Sequence, residues 1–155
     1  MKIRRYEIGE EDVLRQICRD TTLKVNVDEY GPELVEKWAL RLEDTEKWAR
    51  RVEGKNPFVA EQDGTIVGFA ELTSNGRISA IYSHHRWQTK GVGGALYKAL
   101  EVEALRLKLD TLQVESSISA SGFFIRMGFH VVEDILNLTD GIRSKSLLLE
   151  KKLST

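Results

Sequence analysis

Between residues 84 and 101 the chain reads HHRWQTKGVGGALYKALE, with Gly91, Gly93 and Gly94 inside four positions, directly after Lys90 and at the start of a strongly helical stretch. Glycines at such a point let successive backbone N–H groups crowd together and point one way, and the helix start adds its partial positive charge. Anions, above all phosphates, are the natural ligand. Spacing excludes two nucleotide loops: GxxxxGK[ST] is absent, and Leu96 stands where GxGxxG needs its third glycine. What remains is Gln88-Thr89-Lys90-Gly91-Val92-Gly93, a Q/R-x-x-G-x-G/A pattern between a strand and an amphipathic helix.

Acid–base chemistry has few candidates. Glu71 in GFAEL falls on an expected strand, and His84 lies just beyond the next one with an unperturbed pKa of ~6.5 suited to proton transfer. Tyr82 precedes it by two residues. Cys18, within the amphipathic EDVLRQICRD, reads as a buried structural thiol, and His130 as structural. Adjacent His84 and His85 cannot easily share one ion, and no other His pair has ligand spacing, so a metal hydrolase is disfavoured and no metal is expected.

These residues need a scaffold, and 155 residues suffice for one core, so a single domain over 1–155 is expected. With 23 basic and 24 acidic side chains, bulk charge recruits neither nucleic acid nor an anionic membrane. One cysteine, an N-terminus without a signal-like apolar stretch and no membrane-length apolar run point to a cytoplasmic protein. KIRRYEI reads as a first strand, and GEEDVLRQICRDTTLKV and YGPELVEKWALRL as helices, with Pro32 in a first turn. DTEKWARRVEG continues helical and is expected to cap at Gly54. FVAEQDGTIVGFAEL is a hairpin turning at Gln62-Asp63-Gly64, and GRISAIYSHH a strand with Ile78, Ala80 and Tyr82 on one face. Val92, Leu96, Leu100, Ala104 and Leu107 stripe the helix after the glycines; TLQVE, helical SISASGFFIRM, and FHVVEDILNL turning through residues 139–141 into RSKSLLLEKKL complete the chain. This order predicts an α+β fold, one mixed, mostly antiparallel sheet flanked by helices, and disfavours a doubly wound nucleotide fold.

The QTKGVG loop after GRISAIYSHH, the hairpin FVAEQDGTIVGFAEL and the segment SSISASGFFIRMGF together resemble the GNAT superfamily of N-acyltransferases over most of the chain. The resemblance implies acetyl-CoA as cosubstrate, its pyrophosphate held by Gln88, Thr89, Lys90, Gly91, Val92, Gly93 and Gly94, and its 3′-phosphate by Arg86, Lys90 or Arg126. Pantetheine amides would pair with backbone at Ile81, Tyr82 and Ser83. Ser117 stands near a family asparagine that contacts the cofactor and is equally a helix N-cap. Phe124 occupies the cofactor-facing position where many members carry a proton-donating tyrosine, and a phenyl ring has no proton to give. Tyr82 is the alternative acid; Glu71 or His84 would be the base, and a backbone N–H near Tyr82 the oxyanion donor.

The acceptor, an amine of a small molecule or protein, would lie against residues 28–39 and Glu71. Tyr30 and Trp38 would contact it and Asp28 and Glu29 attract its charge, unless Trp38 and Trp48 simply anchor a core. Late strands of this family often pair, so RSKSLLLEKKL could form a homodimer; neither nucleic acid nor a membrane is expected as partner. The resemblance thus implies an N-acetyltransferase or, with Phe124 marking lost catalysis, an acyl-CoA-binding regulatory module.

Overall fold

The computed structural model describes residues 1–153. Seven strands form one sheet in the order β1-β2-β3-β4-β5-β7-β6: β1 (Lys2–Arg5), β2 (Phe58–Gln62), β3 (Thr65–Leu72), β4 (Arg77–Ser83), β5 (Thr111–Ser117), β6 (His130–Thr139) and β7 (Ile142–Lys152). Every neighbouring pair is antiparallel except β4 and β5, which run parallel and register only at Arg77 with Gln113 and Ile78 with Val114. The expected mixed, mostly antiparallel α+β architecture is what forms.

Both two-residue hairpins have a local cause. Asp63 and Gly64 (φ 51° and 80°) join β2 to β3, and Asp140 and Gly141 (φ 48° and 84°) join β6 to β7. Two successive left-handed residues match the twist of the flanking strands, and Asp-Gly tolerates that conformation best.

Four helices precede β2: α1 (Glu11–Lys24), α2 (Val27–Tyr30), α3 (Pro32–Arg41) and α4 (Thr45–Lys55). Helix α1 buries Leu14, Ile17, Cys18, Thr21 and Thr22, a repeat of three and four that faces the sheet. Asp44 caps α4 by accepting from the Lys47 N–H at 3.0 Å. The helix runs past Gly54 and closes at Asn56, left-handed at φ 45°, so the expected glycine cap is corrected to an asparagine.

Helices α5 (Val92–Arg106) and α6 (Ile118–Arg126) cover the other face, with Val92, Leu96, Leu100, Ala104 and Phe124 in one core and Leu107 beyond the end of α5. The second core joins Leu14, Ile17, Trp48 and Val52 from α1 and α4 to Val59, Phe69 and Ala80. Gly68 permits the close approach of α5, since a Cβ there would lie 2.6 Å from both Val92 Cγ1 and the Tyr82 carbonyl oxygen.

One expectation about β4 fails for a physical reason. Glu71 registers with Ala80 but Leu72 with Ile78, leaving Ser79 as an extra residue. Such a bulge resets the alternation. Ile78 therefore joins the α5 core, while Ala80 and Tyr82 face α1 and α4.

Candidate active site

The turn after β4 builds an anion cradle from backbone alone. Thr89 and Gly91 are left-handed at φ 63° and 84°, whereas Lys90 between them and Val92 after them are not. That alternation turns successive N–H groups toward one concave point. The first backbone bond of α5 runs from the Ala95 N–H to the Gly91 carbonyl at 3.1 Å. No side chain caps the helix, so the N–H groups of Val92, Gly93 and Gly94 are left for a ligand. A Cβ at Gly91 or Gly94 would meet nothing within 4 Å, so space is open there, while one at Gly93 would touch the Phe123 ring at 3.5 Å. Lys90 Nζ sits 5.4 Å over the Trp87 ring. The donors, the helix dipole and this cation suit a phosphate or pyrophosphate.

Gln88 serves the loop differently from the expectation: its side-chain amide donates to the Ser83 carbonyl at 2.9 Å and ties the loop to β4. The Thr89 hydroxyl, exposed, donates to the Gln88 carbonyl at 2.6 Å. Arg86 and Arg126 are exposed, Arg126 beside Gly122 at the end of α6.

Beyond Ile78 and Val114, β4 and β5 have no further register, and the chain opens a wedge between them. The His84 N–H donates to the Val67 carbonyl at 2.7 Å, which fixes the ladder parity of β4 against β3. By alternation, Tyr82 directs its N–H and C=O to β3, and Ile81 and Ser83 direct theirs into the wedge. The expectation of backbone pairing at Tyr82 is therefore corrected. Ser83 is half available, because its carbonyl already accepts from Gln88 and from the Thr21 hydroxyl at 3.1 Å.

Glu71 is wholly buried on β3. Its Oε2 accepts from Arg51 Nη2 at 2.9 Å and from the Ser79 hydroxyl at 3.0 Å, and its Oε1 has no partner. The bulge thus supplies one ligand of the carboxylate and leaves the other oxygen free to accept. Tyr82 stacks on Phe69 with centroids 5.4 Å apart, and the neighbouring Cys18 together with burial pushes its hydroxyl well above the usual tyrosine range. Burial also raises the Cys18 thiol, which fits its structural reading.

His84 is held otherwise. Its Nδ1 accepts from the Arg86 N–H at 3.1 Å, its ring stacks on His85 at 4.3 Å, and burial followed by the His85 charge lowers its pKa. With Nδ1 occupied, the neutral ring carries its proton on Nε2 and presents no free lone pair. His130, read as structural, is exposed at the start of β6.

On the α1 side, Tyr30 and Trp38 meet edge to face at 4.9 Å, and Trp38 belongs to neither core. Trp48 does, with its indole N–H on the Glu11 carbonyl at 2.8 Å, so the core-anchor alternative applies to Trp48 alone. Glu29 is not free to meet a cation. Its carboxylate accepts from the Ile118 N–H at 3.0 Å, the Ser119 N–H at 3.3 Å and the Ser119 hydroxyl, against the positive start of α6. The α1–α2 segment thereby links the ends of the two diverging strands, since Thr21 of α1 bonds the end of β4 and Glu29 of α2 bonds the start of α6, where β5 ends. Asp28 remains exposed. Ser117 acts as the α6 N-cap, accepting from the Ala120 N–H at 3.2 Å. Phe124 is 3% exposed and packs on Phe129 at 5.5 Å, so its ring lies in the core. Among the described residues no group of three or more His, Cys, Asp or Glu side chains is arranged to hold a metal, and no helix is long and apolar enough to cross a membrane.

Sequence reading missed Gly68, the Ser79 bulge and Arg51; of these only Gly68, in TIVGFAEL, left a local signal, as an isolated glycine within a strand.

Residues 26–145 match the family model described as an acetyltransferase (GNAT) domain. Over 98% of this chain and 95% of the other, the structure is similar to a GCN5-related N-acetyltransferase, "Aminotransferase, Class-II", from Rhodopseudomonas palustris, with TM-score 0.92 and 28% identity. It shares its fold with the PaiA N-acetyltransferase of Thermoplasma acidophilum in complex with coenzyme A (TM-score 0.77, 21% identity, 98% of both chains). The ribosomal-protein-S18-alanine N-acetyltransferase of Escherichia coli also has this fold (TM-score 0.72, 17% identity, 99% of this chain and 94% of that one). No curated protein sequence matches the chain.

Proposed function

The chain belongs to the GNAT acetyltransferase family, and from that premise we propose that it moves an acetyl group from acetyl-CoA to an amine by direct attack. The observation that carries this reading is the uncapped start of α5, with three N–H groups and Lys90 beside a wedge whose β4 edge is only partly satisfied. Those N–H groups and the helix dipole would hold the pyrophosphate, and Ile81 and the Ser83 N–H would pair with the pantetheine arm in strand fashion. The PaiA structure, which contains coenzyme A, supports the same donor.

A primary amine is mostly protonated at neutral pH, so one proton must leave before attack. Glu71 is the better acceptor of the two candidates, because Oε1 keeps a free lone pair while Arg51 and Ser79 orient the carboxylate through Oε2. At His84 the equivalent lone pair is spent on the Arg86 N–H. The neutral nitrogen then bonds the acetyl carbon, and the charge gathering on the thioester oxygen is met by a wedge-facing N–H, Ile81 or Ser83. The carbon–sulfur bond breaks, thiolate leaves, and the proton lost by the nitrogen passes to sulfur or water. With a thiol pKa of ~8.5 the thiolate leaves without a tyrosine acid, so Phe124 in place of a tyrosine does not prevent the step. The acceptor would approach from the side of α2 and α3, past Tyr30 and Trp38.

Incubation with acetyl-CoA and a panel of amines, with free thiol followed over time, tests this. Acceptor-dependent thiol release is expected. Coenzyme A binding without such release from any amine would favour the regulatory module instead.

A further inference from the structure

At the opposite end of the sheet from the glycine loop, a cavity of about 620 Å³ opens where α4 and β3 end and just past the end of α5. Its lining includes Arg5, Arg50, Arg51 and Lys55, the hydroxyl residues Thr73 and Ser74, and no carboxylate. We infer that this cavity is a second anion site, built for a small polyanion carrying phosphate or carboxylate groups. Fifteen residues of α5 at ~1.5 Å each place it roughly 22 Å from the coenzyme A cradle, so it is a separate site.

The charge count supports the assignment. Arg5 pairs with Glu103 at 3.3 Å and Arg51 with the buried Glu71 at 2.9 Å. Arg50 and Lys55 have no carboxylate within ion-pair distance among the described residues, although Lys55 is partly buried. Two helix ends offset roughly one unit charge between them, which leaves the cavity positive. Arg5 is fixed by the Asn56 carbonyl at 2.8 Å and by the face of Phe58, so one guanidinium is already oriented. Guanidinium groups match phosphate and carboxylate oxygens in paired fashion, and two unpaired cations facing them favour a ligand with more than one charge.

The site also reaches the chemistry. Arg51 lines the cavity and at the same time holds Glu71 Oε2. An anion that draws this guanidinium outward loosens the carboxylate, so occupancy changes turnover through Glu71. This coupling rests on the proposed role of Glu71, whereas binding does not.

The test is calorimetric titration of the full chain, first saturated with coenzyme A so that the glycine loop is filled, with inorganic pyrophosphate and separately with citrate. Binding of either probe at one site is expected, weakened about tenfold or more by the double substitution Arg50→Gln, Lys55→Gln, with coenzyme A affinity and melting temperature retained. Preference between the probes assigns phosphate or carboxylate chemistry. No binding of either at millimolar concentration, loss of binding on saturation with coenzyme A, or equal binding by a folded double variant overturns the site. Binding that leaves kcat unchanged in an active enzyme overturns the coupling through Arg51.

Discussion

Gly91 offers the sharpest test of the cradle, because stability and affinity respond to it through different physics. At φ 84° a side chain is strained although nothing lies within 4 Å of its Cβ. Gly91→Val should therefore cost about 1–2 kcal/mol from backbone strain alone. At roughly 2–4 °C per kcal/mol for a chain of this size, the melting temperature falls by about 2–8 °C. That is survivable for a domain whose stability is typically ~5–15 kcal/mol. Affinity suffers more. Relief of the strain rotates the peptide that presents the Val92 N–H, and each hydrogen bond to a charged oxygen is worth ~1.5–3 kcal/mol, so the Kd for coenzyme A rises about 10- to 150-fold per donor lost. Gly93→Ala is the matched control: its Cβ would make an ordinary 3.5 Å contact with Phe123 and point away from the ligand space, so affinity is retained. Calorimetry with coenzyme A and thermal melting read both quantities. A folded Gly91→Val variant with wild-type affinity, or an equal loss in Gly93→Ala, would refute the cradle as drawn.

Three other substitutions address the chemistry. Glu71→Gln keeps the Ser79 contact but removes the proton acceptor, so kcat falls by ~10²- to 10⁴-fold with the KM for acetyl-CoA unchanged; thiol release within a few-fold of wild type would move the base elsewhere. His84→Gln leaves turnover intact. It also flattens a pH dependence of stability: burial and His85 lower the His84 pKa, so the unfolded chain takes up this proton first, and stability drops as pH falls through ~6.5. Melting temperatures from about pH 8 to pH 5 check this, and an unchanged slope in the variant would contradict it. Phe124→Tyr places a hydroxyl among Phe123 and Phe129, at a cost of about 1–3 kcal/mol and so roughly 2–4 °C of melting temperature per kcal/mol. A gain in kcat with no loss in melting temperature would instead mean that the ring edge opens onto the wedge.

What the sequence disclosed and what it hid divide along a physical line. The two Asp-Gly turns, the buried stripe of α5 and the glycine cradle are local: their φ requirements and periodicity lie within a few consecutive residues. The bulge at Ser79 leaves no such mark, because Ile78, Ala80 and Tyr82 stand at alternate positions as in a regular strand, and only the register with β3 reveals the extra residue. Helix α2 is four residues of VDEY, too short for a period. Glu29 read as a lure for a cationic amine because its donors, the N–H groups of Ile118 and Ser119, lie 89 and 90 residues away. Gly54 was the natural cap by composition, yet Asn56 tolerates the left-handed region and ends the helix two residues later.

Non-local pairing also separates the two candidate bases that sequence left level. Both Glu71 and His84 sit where a strand meets the central cleft, and neither spacing nor reference pKa ranks them. Burial does. A carboxylate with no exposed surface is a poor structural choice when it has one half-exposed arginine, one hydroxyl and a bare oxygen, since an unsatisfied buried acceptor costs ~1–3 kcal/mol. An apolar residue of similar size on β3 would fill the same space without that cost. His84 satisfies its own loop through Nδ1 and needs no further role to explain its presence. The bulge that broke the expected alternation is thus what gives Glu71 its oriented oxygen, because Ser79 reaches the carboxylate only as the extra residue of β4.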